Sequence, residues 1–323
     1  MTTSLLSVDA ALIRRALYED RAHADLTTRA LISPSLRVRA HVIAKAAGVV
    51  AGTMVAQQTF HAIDRRTRCT IRRRDGQRVK KDDVILALEG SARAILAAER
   101  TALNFLGHLS GIATLTRAFV DPIKPSRAAI LDTRKTLPGL RALEKHAVHM
   151  GGGQSHRFDL ADAILIKTNH LRASRLPTPA AIARAKRVAR GKPVEIEVTN
   201  LQEFQAALTA RPHIILLDNW PLRSIKRAVR LRRPGIRLEV SGGVTLANVR
   251  AIARTGVDRI SIGRLTHSAP ALNISLRVLT SEEDQRIRQY VKGYRQHPES
   301  TKGWKALERV QAEGIAKELG NKT

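Results

Sequence analysis

Residues 128–157 read AAILDTRKTLPGLRALEKHAVHMGGGQSHR. The apolar run AAIL passes into the polar DTRK, as a strand does where it leaves a core. Pro138 then opens a helix-like stretch, residues 138–149, and three glycines follow it. The same order of strand then helix repeats down the chain. The runs AILIKTNH (163–170), VEIEVTN (194–200), IILLDN (214–219), RLEVSGG (237–243) and RISIGR (259–264) are short, apolar and polar-ended. Helix-like stretches lie between them at 179–190, 201–210, 222–232 and 246–255. Rich in β-branched residues and largely continuous, the runs suit strands buried on both faces. Pro179 and Pro221 fit first helical turns, with Asn200 and Asn219 as caps nearby. Such alternation implies a parallel sheet with right-handed crossovers. Six units predict an incomplete, about six-stranded α/β barrel rather than an open sheet. No GxGxxG follows the first strand, which argues against a dinucleotide fold.

Before residue 115 the pattern changes. Strand-like runs such as RVRAHVIAK (37–45) and DDVILALEG (82–90) are separated by turn-like segments such as RRRDGQRVKKD. Residues 92–117 read as one long helix or two linked ones. The expected organisation is an N-terminal α/β sandwich domain over 1–116, rejoined by about 268–280, and a barrel over 117–267. Residues 281–323 read as a helical or flexible extension.

Bulk composition bounds the function. The 323 residues are 43% hydrophobic, enough for a sizeable core. A lone cysteine, Cys69, excludes an internal disulfide and a several-cysteine zinc site, and fits a reducing cytosol. The N-terminal MTTSLLSVDAALIRRALYED lacks the apolar run of a signal peptide. With no 18-residue uncharged apolar segment, no membrane helix is expected and a cytoplasmic location is. The net charge of +28 suggests a polyanionic partner. Stacking aromatics are scarce, at 3%, and the cations are dispersed apart from RRTRCTIRRR at 65–74, so a dedicated nucleic-acid binder is not expected. A solvated arginine-rich surface and a small, highly anionic substrate remain.

In barrels, catalytic groups sit at the C-terminal ends of strands. The endings here are Arg134 and Lys135, then Lys167 with Asn169 and His170, Glu197, Asp218, Ser241–Gly242–Gly243 and Ser261–Ile262–Gly263. Any single polar ending is what a strand reaching solvent shows. As a set they place cations on early strands, carboxylates on middle strands and glycines on the last two. Arg134, Lys135, Arg157 and Lys167 can hold carboxylates or phosphates. Glu197 and Asp218 can accept from sugar hydroxyls or hold Mg²⁺ directly or through water. The glycine loops, followed by helix starts, can cradle a phosphate. No nucleophile triad is evident. His156 and His170 are candidate acid/base groups, with a structural role as the competing reading.

The stretches AERTALNFLGHLSGIAT, ILDTRKTLPGLRALEKHAV, GGGQSHR, ILIKTNH, EIEV, LLDN, EVSGG and SIGRLTHS, in this order, resemble the quinolinate phosphoribosyltransferase family from about residue 8 to residue 278. The resemblance implies a type II phosphoribosyltransferase fold: a homodimer in which an N-terminal sandwich joins an incomplete barrel. It implies that quinolinate and phosphoribosyl pyrophosphate give nicotinate mononucleotide, pyrophosphate and CO₂, with Mg²⁺, in NAD synthesis. Arg100 matches an arginine that the partner subunit lends to the site. Thr133, Arg134, Lys135, His156, Arg157 and Lys167 match the quinolinate pocket. Glu197 and Asp218 match the acidic pair beside the ribose and Mg²⁺, the metal being held mainly through substrate. Ser241, Gly242, Gly243, Ser261, Ile262 and Gly263 match the phosphate loops. Lys135, Lys167, Glu197 and Asp218 are the expected catalytic residues. Three positions depart from the family pattern: Asp159 where glycine is usual, Thr168 where an acid is usual, and Asn273 where aspartate is common. The alternatives are a molybdenum-transport-associated relative of the same fold, which usually lacks the lysine of KTNH, and a basic nucleic-acid-associated protein.

Overall fold

The computed structural model describes residues 10–283 together with Gln285 and Gln289. Most of the extension expected over 281–323 therefore lies outside the described residues. The chain runs α1 (Ala10–Glu19), α2 (Leu26–Leu31), β1 (Arg37–Ala44), β2 (Gly48–Val49), α3 (Thr53–Ile63), β3 (Arg68–Ile71), β4 (Arg78–Val79), β5 (Val84–Ser91) and the long α4 (Ala92–Val120). Then come β6 (Ala129–Leu131), α5 (Arg141–Met150), β7 (Ile164–Ile166), α6 (Thr168–Ser174), α7 (Thr178–Val188), β8 (Val194–Val198) and α8 (Leu201–Ala210). The series ends with β9 (Ile214–Asp218), α9 (Leu222–Leu231), β10 (Arg237–Ser241), α10 (Val249–Ala253), β11 (Arg259–Ser261), α11 (Arg264–His267) and β12 (Ile274–Val278). Residues 109–271 form one compact unit, and the described residues on either side of them form another.

In the flanking unit, β12, β1, β5 and β3 make an antiparallel sheet in that order. Strand alternation turns Ala40, Val42 and Ala44 to one side, where they meet Phe60 of α3 and Ile95, Ala98, Ala102 and Leu106 of α4. The α4 positions recur at three- and four-residue spacing, so a single stripe of the helix faces the sheet.

The other unit is a six-stranded parallel sheet in the order β6-β11-β10-β9-β8-β7. The first strand lies beside the last and the second beside the third, as in a barrel opened between β6 and β7. The segment after α5 lies along that open edge. The Gln154 amide donates to the Ile130 carbonyl at 2.8 Å, and the Asp132 amide donates back to the Gln154 carbonyl at 3.2 Å. Glycines permit this approach. A Cβ on Gly153 would sit 2.8 Å from the Val148 side chain and 2.9 Å from that of Thr116.

Strand register settles which side chains share a face. Glu197 pairs with Leu216, Leu216 with Glu239, Asp218 with Ser241, and Ser241 with Ser261. The strands are buried on both faces, as expected, but only one of the faces is apolar. Val194, Ile196, Val198, Leu238 and Val240 supply an apolar face, while Glu195, Glu197, Glu239 and Arg259 occupy the other. One of the two expected asparagine caps is present. Asn200 caps α8 by accepting from the Glu203 amide at 2.9 Å. Asn219 caps nothing: it takes a left-handed φ of 57°, and Pro221 stands directly before α9.

Candidate active site

Asp132 directly follows β6, is fully buried and organises the loop beside it. Its carboxylate accepts from Lys145 Nζ at 2.5 Å, from Ser155 Oγ at 3.2 Å and from the His156 amide at 2.8 Å. Lys145 also donates to the His156 carbonyl at 3.3 Å. Burial pushes Asp132 up from the usual carboxylate range and pulls Lys145 down, and each charge offsets the effect on the other. So Lys145, one of the cations around the glycine loop, faces inward to Asp132. Arg141 is likewise spent on structure, donating to Thr136 Oγ1 at 3.1 Å.

Beyond this anchor lies a cavity of about 860 Å³ at the C-terminal ends of the strands. Thr133, Arg134, Lys135, His156, Arg157 and Lys167 line one part of it. Glu197 and Asp218 line another, and Ser241, Gly242, Gly243, Ser261, Ile262 and Gly263 complete the set brought together by the fold. Arg100 is not among the lining residues; it is exposed on α4.

The cationic wall is poorly satisfied from within. Arg134 Nε is buried without a hydrogen-bond partner. Arg157 is held by one donation, to the Ala163 carbonyl at 3.1 Å. Burial lowers the Arg157 pKa, and the Arg134 guanidinium adds to that. Neither arginine has a carboxylate within ion-pair distance among the described residues. Two guanidiniums forced together in this way favour an anion between them.

The acidic wall is braced. Glu197 accepts from Thr168 Oγ1 at 2.9 Å and lies 3.4 Å from Lys167 Nζ. Thr168, one of the departures from the family pattern, thus donates to Glu197 where an acid would repel it. Asp218 is raised from the usual range by burial and then by the Glu197 charge, against a 2.9 Å hydrogen bond from Asn219 Nδ2. A carboxylate pair with this mutual repulsion is a donor set that a divalent cation relieves.

Gly242 has φ +81°, and a Cβ there would lie 2.2 Å from Asn219 Oδ1. Gly243 has φ +60°. The expectation of free amides along both glycine loops is corrected at Ile262, whose N–H donates to the Leu131 carbonyl at 2.9 Å. His170 also serves structure: its Nδ1 accepts the Lys167 amide at 2.9 Å and caps α6. Asp159 accepts the Ala161 amide at 2.8 Å and does not line the cavity.

Sequence reading missed Glu239, Asn219, Arg264 and His267 in the lining, and Glu195 behind it. His156 Nε2 lies 3.1 Å from Glu195 and 3.3 Å from Glu239, and Arg259 Nε lies 2.8 Å from Glu239. Burial opposes charge on the His156 ring, but the two carboxylates outweigh it and raise its pKa to about 9. A proton on Nδ1 must displace the Arg157 amide, which donates to that atom at 2.7 Å. In the arrangement seen, the proton is therefore on Nε2. The available signal was a glutamate inside an otherwise apolar strand, Glu195 in VEIEV and Glu239 in RLEVS.

Comparison with known proteins agrees with this geometry. Residues 25–110 match the quinolinate phosphoribosyl transferase N-terminal domain, and residues 112–277 match the C-terminal domain. The chain belongs to the quinolinate phosphoribosyltransferase family. It is 43% identical to the carboxylating nicotinate-nucleotide pyrophosphorylase of Mycobacterium leprae, over 82% of this chain and 95% of that protein. A probable enzyme of the same name from Bacillus subtilis is 37% identical over 84% and 94%. Among solved structures, the nicotinate-nucleotide pyrophosphorylase of Francisella tularensis superposes with a TM-score of 0.79 at 39% identity, covering 84% of this chain and 95% of that one. That of Ehrlichia chaffeensis gives 0.80 at 36%, covering 84% and 98%. Family membership confirms the sandwich-and-barrel fold class expected from sequence. No helix among the described residues is long and apolar enough to cross a membrane.

Proposed function

We propose that the chain is a carboxylating nicotinate-nucleotide pyrophosphorylase. It joins quinolinate to the phosphoribosyl group of phosphoribosyl pyrophosphate and releases pyrophosphate and CO₂. The observation that carries this reading is Arg134 and Arg157, neither with a carboxylate at ion-pair distance among the described residues, sharing one cavity with the braced Glu197 and Asp218. The two arginines, with Lys167, supply the charge that a pyridine diacid needs. Gripping both carboxylates holds the ring nitrogen toward the ribose C1 and removes orientational freedom before reaction. The nitrogen's lone pair forms the new C–N bond as the C1–O bond to pyrophosphate breaks. Glu197 and Asp218 face the positive charge that develops on the sugar. Lys135 and Lys167 offset charge on the leaving group. The alkylated ring is then cationic and accepts the electron pair freed as the 2-carboxylate leaves as CO₂. Carbon 2 takes a proton from solvent, giving nicotinate mononucleotide.

Glu197 and Asp218 are the residues that would hold Mg²⁺, mainly through the pyrophosphoryl substrate. The bound ion supplies charge neutralisation to the phosphates. The Gly242–Gly243 and Gly263 backbone would take the ribose 5-phosphate. In a homodimer, Arg100 of one subunit would complete the cavity of the other, and the reaction would take place in the cytoplasm. The deciding assay incubates the purified chain with quinolinate, phosphoribosyl pyrophosphate and Mg²⁺ and follows nicotinate mononucleotide. No product under these conditions refutes the assignment.

A further inference from the structure

We propose that Glu195 and Glu239 are positioning residues that fix the His156 ring, and through it the Arg157 guanidinium, in the wall that receives the diacid. This rests on the proposed activity for its substrate and on geometry alone for its mechanism. His156 is tied at every polar atom. Its amide goes to Asp132 at 2.8 Å, its carbonyl to Lys145 at 3.3 Å, and its Nδ1 to the Arg157 amide at 2.7 Å. Its Nε2 rests between Glu195 Oε2 at 3.1 Å and Glu239 Oε1 at 3.3 Å. Glu239 is held in turn by Arg259 at 2.8 Å on its other oxygen. The chain of contacts therefore runs from β11 through Glu239 to His156, and on to the backbone of Arg157.

Charge gives the argument its direction. A carboxylate lining a pocket for a dianion repels that dianion, and Glu239 lines this pocket although none of its own surface is exposed. Neutralising it should tighten diacid binding if Coulomb repulsion were its main effect. Glutamine has the same shape but one acceptor oxygen instead of two. Placed at 239 it leaves either the His156 or the Arg259 N–H facing an NH₂ group. Glu195 differs, because among the described residues only its Oε2 lies within ion-pair distance of a cation, His156 at 3.1 Å, so an amide nitrogen can be turned to the Oε1 side. The same three donors lie within 4.8 Å of one another, a spacing that a metal could use. Arg259 already offsets the Glu239 charge, and the His156 distances are those of an N–H donor.

The test combines titration calorimetry and NMR on the full chain. Glu239→Gln should weaken quinolinate binding about ten-fold or more, as one buried donor loses its acceptor, while phosphoribosyl pyrophosphate binding stays within about two-fold. Glu195→Gln should change quinolinate binding less than Glu239→Gln does. On a His156→Ala background, Glu239→Gln should add little further loss, because Glu239 acts through the ring. With ¹⁵N-histidine labelling, the His156 Nε2 proton should be protected from exchange in the unaltered chain and should move or vanish in Glu239→Gln. That readout needs no ligand, so it judges the geometry even if quinolinate fails to bind, an outcome that would instead refute the proposed substrate. Unchanged or tighter quinolinate binding in Glu239→Gln overturns the proposal. So do additive losses with His156→Ala, equal loss of affinity for both substrates, and an imidazole proton unmoved by the substitution.

Discussion

Replacing Lys145 with methionine probes the anchor beneath the site. Lys145 is 3% exposed and its partner Asp132 is 0% exposed, so among the described residues the ammonium is the one positive charge paired with a carboxylate that has no access to water. Removing one member of such a pair strands the other, which costs about 3–5 kcal/mol. Two hydrogen bonds remain to Asp132, from Ser155 and the His156 amide, and these place the expected loss near the lower end of that range. At about 2–4 °C per kcal/mol for a domain of this size, thermal unfolding should fall by roughly 10 °C. Lys145 also holds the His156 carbonyl, so KM for quinolinate should rise in the surviving folded enzyme. The double substitution Asp132→Asn with Lys145→Met removes both charges and should recover more than half of the lost stability, because the introduced carboxamide oxygen can still accept the His156 amide. Scanning calorimetry and steady-state kinetics on the three variants decide it. A single variant within about 1 kcal/mol of the parent, or a double variant no better than the single, refutes the reasoning.

Arg134→Ala removes a guanidinium whose Nε has no internal partner, so turnover of quinolinate should fall by orders of magnitude with the melting temperature preserved. Gly242→Ala forces a Cβ against Asn219 at a positive φ; it should cost at least about 1–2 kcal/mol and raise KM for phosphoribosyl pyrophosphate above that for quinolinate. Burial holds His41 down from 6.5 to about 4, with Arg72, Arg277 and Arg39 lowering it further and Glu283 opposing. The unfolded chain then binds the proton first, so stability is complete above pH 6.5 and lost as pH falls toward 4, by up to about 3 kcal/mol; His41→Gln should flatten urea-melt stability across that window. If Arg100 acts across a dimer, mixing Arg100→Ala subunits with Lys167→Ala subunits should restore activity that neither homodimer has, and a mixture as inactive as its parents refutes the shared site.

The barrel was legible because its information is local. Apolar runs ending in polar residues mark strands, and a proline ahead of a helical stretch marks the next turn, whatever the rest of the chain does. The strand-end reading succeeded for the same reason: in a parallel sheet every strand delivers its last residue to one rim. That is why Arg134, Lys167, Glu197, Asp218 and Ser241 reach one cavity from five separate strands. What was not legible is what each charge faces. Lys145 and Arg134 are both cations near the glycine loop, yet one is buried on Asp132 and the other is unpaired toward the cavity.

The sequence by itself determined the order of elements, the position of the rim and the kinds of side chain that reach it. Those follow from local hydrophobic pattern and from strand direction. Only the tertiary structure decided that Glu195 and Glu239 turn inward onto His156 and that Ile262 spends its amide on Leu131. It also decided that the glycine loop fills the open edge of the barrel. Those pairings join residues tens of positions apart, and the cost of burying a charge or a polar group depends on the partner that the completed fold supplies.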